Sequence, residues 1–219
     1  MFKSCSTLLM LVWIAVSPVA VAQAVFEDGE FTPFEELHLS QDGDSKVLQH
    51  RVLYFAHFTC PYCRQAHGYL QTWGDQLPRP YAFEVVPAVG LAEHMPMAAA
   101  FYVVLQVAPS RLRQFEQELF TELQDRGGAF NDPDAYLAAA KRVGVDAETF
   151  RRVLNQKETE KFVERAFALT QRYKVTEVPT VVVANRFKTA PGRVYNDQQA
   201  FISILNGLMS MAFEERYAK

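Results

Sequence analysis

Arg51-Val52-Leu53-Tyr54-Phe55-Ala56-His57-Phe58, followed by Thr59 and then Cys60-Pro61-Tyr62-Cys63, is the stretch whose reading decides the fold. Its first eight residues are mostly β-branched, apolar or aromatic, the pattern of a strand buried on both faces. Thr59 ends the run, and a helix is expected from Cys60 to about Trp73. Pro61 suits the first helical position, where its missing N–H costs no hydrogen bond and its fixed φ is already helical. A buried strand therefore feeds directly into a helix whose first turn carries two cysteines.

The rest of the cysteine usage sharpens this. The third cysteine, Cys5, precedes the apolar run Leu8–Val16, itself preceded by Lys3 and followed after Pro18 by Ala22-Gln23-Ala24. That order of charge, apolar run and small residues is the form of a secretory signal peptide, with cleavage expected after Ala24 and, as second choice, after Ala22. The apolar run is shorter than the ~20 residues a bilayer span needs. Export places the remaining 195 residues where disulfides persist. Their only cysteines are Cys60 and Cys63. A bridge enclosing two residues constrains the unfolded chain little, so the pair is better explained as reactive than as structural.

Composition narrows the classes. The formal charge of −3 becomes −4 without Lys3, which argues against a nucleic-acid partner. A hydrophobic fraction of 49% with 13% aromatic residues describes an ordinary folded protein, long enough for a core and short for two large domains. Beyond the first helix, Tyr81–Val86 reads as a strand, and Leu91–Tyr173 as helices broken at Ala108-Pro109-Ser110, Arg126-Gly127-Gly128 and Asn131-Asp132-Pro133. Asp132 and Asp146 are expected helix caps. Val178–Ala184 returns to strand, Asn185-Arg186 turns into a short partner strand at Phe187–Thr189, and Asp197 opens a last helix to about Tyr217. Alternating elements around a C-x-x-C at a strand-to-helix junction predict an α/β chain with a thioredoxin-like fold interrupted by an α-helical insertion domain.

Three landmarks carry a family resemblance. Phe26-Glu27-Asp28-Gly29, Phe55-Ala56-His57-Phe58-Thr59-Cys60-Pro61-Tyr62-Cys63 and Tyr173-Lys174-Val175-Thr176-Glu177-Val178-Pro179-Thr180 resemble, in order, three signatures of the DsbA-type periplasmic thiol:disulfide oxidoreductases. The resemblance spans the mature chain. It implies a signal peptide at 1–24, a first thioredoxin-like part at 25–88, a helical insertion at 89–170 and a second thioredoxin-like part at 171–219. It also implies a cis Val178–Pro179 bond, reduced unfolded exported proteins as substrates, a membrane DsbB-type quinone-linked oxidase as partner, a monomer in the periplasm, and no cofactor or metal. The best-known members carry histidine where this chain has Tyr62, and a buried glutamate where it has Tyr54. An oxidant milder than those members is therefore expected.

The chemistry assigns roles. Cys60, at the helix N-terminus, faces unsatisfied backbone N–H groups and the positive end of the dipole, which lower its pKa and make it the nucleophile. Cys63, one turn further, is the shielded partner. Val178 and Pro179, with Pro61 and Tyr62, are the candidate substrate contacts, an extended segment pairing with the Val178 backbone. His57 is the candidate thiolate-tuning residue, a positive imidazole near Cys60 favouring the thiolate. His57, Cys60, Cys63 and His67 also spell H-x2-C-x2-C-x3-H, on paper a zinc pattern, but the strand geometry of His57 argues against convergence. Both histidines are expected to be partly exposed. Met95-Pro96-Met97 and Phe101-Tyr102 read chiefly as core of the insertion. A reductase or isomerase using the same pair, and a non-catalytic peptide-binding or chaperone module, are the alternatives. An intact C-P-Y-C argues against the latter.

Overall fold

The computed structural model describes residues 32–39 and 44–217, the side chains of 215–217 excepted. The segment 1–24 expected to be a signal peptide, Cys5 and Phe26-Glu27-Asp28-Gly29 lie outside the described residues. The elements run β1 (Glu35–Glu36), α1 (Ser45–Leu48), β2 (Arg51–Ala56), α2 (Pro61–Gly74), β3 (Ala82–Pro87), α3 (Met95–Val107), α4 (Leu112–Gln124), α5 (Pro133–Arg142), α6 (Ala147–Leu154), α7 (Lys157–Arg172), β4 (Thr180–Val183), β5 (Phe187–Thr189) and α8 (Gln198–Tyr217).

Among the described residues, five strands form one sheet in the order β1-β5-β4-β2-β3. Only β2 and β3 are parallel, as a strand–helix–strand crossover requires, and the other neighbours are antiparallel. The apolar run of β2 is explained by its place: Val52 to Ala56 are all buried between two neighbours and two covered faces. Its pairing with β4 sets Phe55 opposite Thr180. The residues just before β4, Val178 and Pro179, are thereby carried to the end of β2 where α2 begins.

The buried residues of α2 follow helical spacing: Cys63, Ala66, His67, Leu70, Gln71 and Gly74. Gly74 is needed there because a Cβ would overlap the Phe83 ring of β3. Trp73 Nε1 donates to Asn206 Oδ1 of α8 at 2.8 Å, closing the other side. Between β3 and β4 come five helices. Among them α3 is apolar on nearly every side and is packed by α4, α5, α6 and α7, the environment such a helix demands. Asp132 and Asp146 cap α5 and α6 as expected, accepting from Asp134 N and Thr149 N at 2.9 Å each. No described helix is long and apolar enough to cross a membrane.

Element boundaries differ from the sequence reading in instructive ways. The strand expected over 178–184 is only 180–183: Val178-Pro179 precede it, and the hairpin turn falls on Ala184 and Asn185, with φ of 54° and 58°, one residue earlier than expected. Two adjacent left-handed residues suit the right-handed twist of a tight hairpin. The edge strand β1 and the short α1 carry no strong pattern and were not anticipated from sequence. Arg79–Pro80 is a second cis peptide bond besides the expected Val178–Pro179.

The two glycines of α2 offer a test with opposite signs. Gly74→Ala should destabilise by about 1–3 kcal/mol through overpacking against Phe83. Gly68→Ala, exposed with nothing near its Cβ position, should stabilise by roughly 0.5–1 kcal/mol. Urea unfolding of the two variants checks this, and equal signs would contradict the packing described.

Candidate active site

Cys60 is the N-cap of α2, in extended backbone (φ −83°, ψ 119°), with Pro61 in the first helical turn. Its N–H donates to His57 O at 3.0 Å and its own carbonyl accepts the first helical bond from Arg64 N at 3.2 Å. The thiol group is half-buried, and Cys63, one turn on, is fully buried. Neither thiol is joined in a disulfide in this structure, so the electrostatics that follow are those of the reduced pair.

The two thiols have opposite electrostatics. A hydrogen bond from the Cys63 thiol, helped by the backbone N–H groups of Cys63 and Tyr62, holds Cys60 down to about 6 despite partial burial. Burial, and then the same shared proton, drive Cys63 far above the ordinary thiol range. Near neutral pH the pair therefore carries one thiolate, on Cys60, and one thiol, on Cys63. The helix N-terminus supplies the donors for the former. The His57 backbone N–H lies 3.5 Å from Cys63 Sγ.

Val178 completes the opening. Cys60 Sγ is 3.4 Å from Val178 O, a contact across 118 positions of chain that follows from the Phe55–Thr180 register. Val178 is partly exposed and Pro179 buried. A cleft of about 390 Å³ opens beside Cys60, lined by His57, Gly90, His94, Thr170 and Val178 among others. Pro61 and Tyr62 are exposed on the helix start, and Tyr62, at 57%, lines a separate small pocket with Ala66, Tyr69 and Pro191.

The structure corrects the charge assigned to His57. Its imidazole is lowered to about 4, by burial first and by the adjacent His94 second, the two rings lying 4.7 Å apart. A neutral ring cannot stabilise the Cys60 thiolate by charge. Its Nδ1 instead bonds Thr59 Oγ1 at 2.7 Å, shaping the turn that presents Cys60. His67 is corrected too: far from partly exposed, it is fully buried, with Nε2 at 3.2 Å from Glu116 of α4. Glu116 also accepts from Gln71. The described residues hold no group of three or more His, Cys, Asp or Glu placed to bind a metal. Of the apolar residues in the insertion, Met97, Phe101 and Tyr102 are core, whereas Met95 is 38% exposed.

Several contacts at the site were not anticipated. Tyr54 of β2 donates to Cys63 O at 3.1 Å from beneath, and burial pushes its own hydroxyl well above the ordinary range. Gln124, at the end of α4, donates to Phe58 O at 2.9 Å and Cys60 O at 3.2 Å. The next residue, Asp125, makes a two-pronged pair with Arg64 at 2.7 Å per bond. The insertion thus holds the cysteine loop from outside. Nothing local in the sequence signals Gln124 or Asp125, because each lies more than 60 positions from its partner and only the packing of α4 against α2 brings it in.

These surroundings predict the labelling of the reduced protein. Between pH 6 and 8 a thiol-alkylating reagent should modify Cys60 while leaving Cys63 unlabelled, as read by peptide mass mapping, because Cys60 is a part-exposed thiolate and Cys63 a buried thiol. Equal labelling, or a Cys60 rate that rises only above pH 8, would contradict the assignment.

Comparison with known proteins agrees with this geometry. The model of the DSBA-like thioredoxin domain family matches residues 66–201, a stretch that starts just past the cysteine pair and runs into α8. The thiol:disulfide interchange protein DsbA of Burkholderia cepacia is 24% identical over 191 residues, covering 87% of this chain and 88% of that one. Among solved structures, the oxidoreductase NmDsbA1 from N. meningitidis superposes with a TM-score of 0.72 at 15% identity, over 84% of this chain and 94% of that one. Proteus mirabilis DsbA, solved with a non-covalently bound peptide PWATCDS, gives 0.68 at 18% identity, over 84% and 100%. The family match spans more than half of the chain, which belongs to the DsbA-like thioredoxin family of thiol:disulfide oxidoreductases.

Proposed function

We propose that this chain is an exported dithiol oxidase of the periplasm, in which Cys60 and Cys63 form the disulfide donated to reduced, unfolded exported proteins. The observation that carries the reading is the split between the thiols: Cys60 held down to about 6 and Cys63 driven up by burial. A substrate thiolate attacks Cys60 Sγ of the oxidised pair. The Cys60–Cys63 bond breaks, and Cys63 leaves with the electron pair and takes up a proton, as its raised pKa favours. A second substrate thiolate then attacks the substrate sulfur of the mixed disulfide. Cys60 leaves as a thiolate, a good leaving group because its pKa is low. The substrate has lost two electrons and gained a disulfide, and the protein is reduced.

In this reading Val178 offers its backbone to an extended substrate segment beside Cys60, as a strand edge does for a peptide, with Pro179 shaping that edge and Pro61 and Tyr62 as further contacts. The peptide bound non-covalently by Proteus mirabilis DsbA supports peptide binding on this fold. Re-oxidation falls to a membrane oxidase of the DsbB type linked to quinone. The charge, apolar run and small residues of 1–24, read as a signal peptide, support the periplasmic placement, and the insertion is taken as 89–170 between thioredoxin-like parts at 25–88 and 171–219, the chain acting as a monomer.

Two variants test the roles. Cys60→Ser should abolish oxidation of a reduced model protein, and Cys63→Ala should accumulate mixed disulfides through Cys60, seen on non-reducing gels. Wild-type oxidative folding by Cys60→Ser would instead favour a non-catalytic binding module. Scrambled disulfides repaired faster than reduced ones are oxidised would favour an isomerase.

A further inference from the structure

The helical insertion contains a groove of about 830 Å³ between the start of α3, α5, α6 and α7. Its walls are apolar, including Met95, Ala99, Phe150, Val163 and Phe167, and both Met95 and Phe167 are 38% exposed. Its charged lining residues are Glu160 and Glu164, four apart on one face of α7 and both exposed. Neither makes an ion pair among the described residues. An apolar trough with an acidic rim is the complement of an apolar segment followed by basic side chains.

The groove and the cleft beside Cys60 are lined by neighbouring residues of the same two segments. His94 lines the cleft and Met95, the next residue, lines the groove. On α7, Thr170 lines the cleft, and Phe167, one turn back on the same side, lines the groove. At 1.5 Å of rise per helical residue, Phe167, Glu164 and Glu160 lie roughly 4.5, 9 and 15 Å along α7 from Thr170. An extended peptide advances about 3.3 Å per residue. A chain leaving the cleft along α7 would therefore meet the apolar wall after one or two residues and the acidic rim after about three to five.

We propose that this groove is a second substrate subsite that binds a segment of the client chain carrying one or two apolar residues next to the reactive cysteine and Lys or Arg about three to five residues from it. The proposal rests on the oxidase reading for its kinetic consequences, while binding itself does not require it. The subsite selects clients with basic segments beside a cysteine, and it places the apolar side chains against Met95 and Phe167.

Synthetic dithiol peptides provide the test, with a Leu-Phe-x-Lys-Arg tail on either side of the cysteine pair, compared with Leu-Phe-x-Glu-Glu tails and with no tail. Oxidised wild-type protein should show a KM about tenfold lower for the basic tail than for the acidic one at low salt. The doubly substituted Glu160→Lys/Glu164→Lys protein should reverse that preference, and Phe167→Ser should weaken both tailed peptides alike. All proteins should oxidise the tail-free peptide at one rate. Calorimetry with a Ser-for-Cys basic-tailed peptide reads binding without chemistry, and should show it for wild type and lose it in the double variant. A wild type that does not distinguish the tails, in kinetics and in calorimetry, overturns the proposal. So does sedimentation showing that Phe167→Ser abolishes a wild-type dimer, which would assign the groove to a second copy of the chain. If wild type oxidises no peptide yet binds the basic tail, the oxidase reading fails and the subsite stands.

Discussion

One proton shared between two thiols in unlike surroundings is the constraint on which the rest of the site depends. Cys63, sealed under α2, cannot ionise without burying a charge, so it keeps its proton and offers it to Cys60. Cys60, at the helix start, meets backbone donors that no intrahelical carbonyl satisfies. Each cysteine makes the other's ionisation state more pronounced. That polarity stabilises the reduced form relative to the disulfide, which is what makes a disulfide a donor.

The remainder of the molecule keeps this geometry in place. From the sheet, the β2–β4 register brings Val178 against Cys60, and Tyr54 reaches up to the Cys63 carbonyl. From the insertion, Gln124 ties down the carbonyls of Phe58 and Cys60, and Asp125 anchors Arg64 one turn into α2. Glu116 enters the same interface from α4, where burial with His67 and Gln71 leaves no member of the cluster exposed to solvent. The helical insertion is therefore part of the support of the cysteine loop as well as a cover for it. Removing one partner from a buried hydrogen-bonded cluster leaves the others unsatisfied, which gives the α2–α4 interface a strong preference for one arrangement.

Most of the fold was legible in the sequence because its signals are local and strong. The apolar run of β2, Pro61 at a helix start, the caps at Asp132 and Asp146, and the turn-and-strand pattern after Val178 each report on their own neighbourhood. What was illegible depends on partners distant in sequence. His67 looked like a half-exposed polar residue on α2, yet Glu116, 49 positions on, draws it into the core. His57 looked like a cation near a thiol, yet burial and, second, the neighbouring His94 keep it neutral. Gln124 and Asp125 sit at an ordinary helix end and acquire a role only through where α4 lands. The short edge strand at Glu35–Glu36 was likewise invisible, because its pairing with β5 is its only reason to be extended.

The central claim is that Cys60 ionisation stabilises the reduced fold, and its pH dependence follows from linkage. A thiol whose folded pKa is lowered, here from about 9 to about 6, contributes stability that is fully present above the unfolded value and is lost as pH falls through the folded one. The disulfide form lacks this group, and a bridge enclosing two residues supplies little in exchange. The direct measurement is urea unfolding of the reduced and the oxidised protein at intervals between pH 5 and 9. Reduced protein should gain stability over oxidised protein steadily as pH rises from about 6 to 9, and the difference should be flat below 6. A difference that does not change with pH, or an oxidised form that is the more stable throughout, would contradict the account.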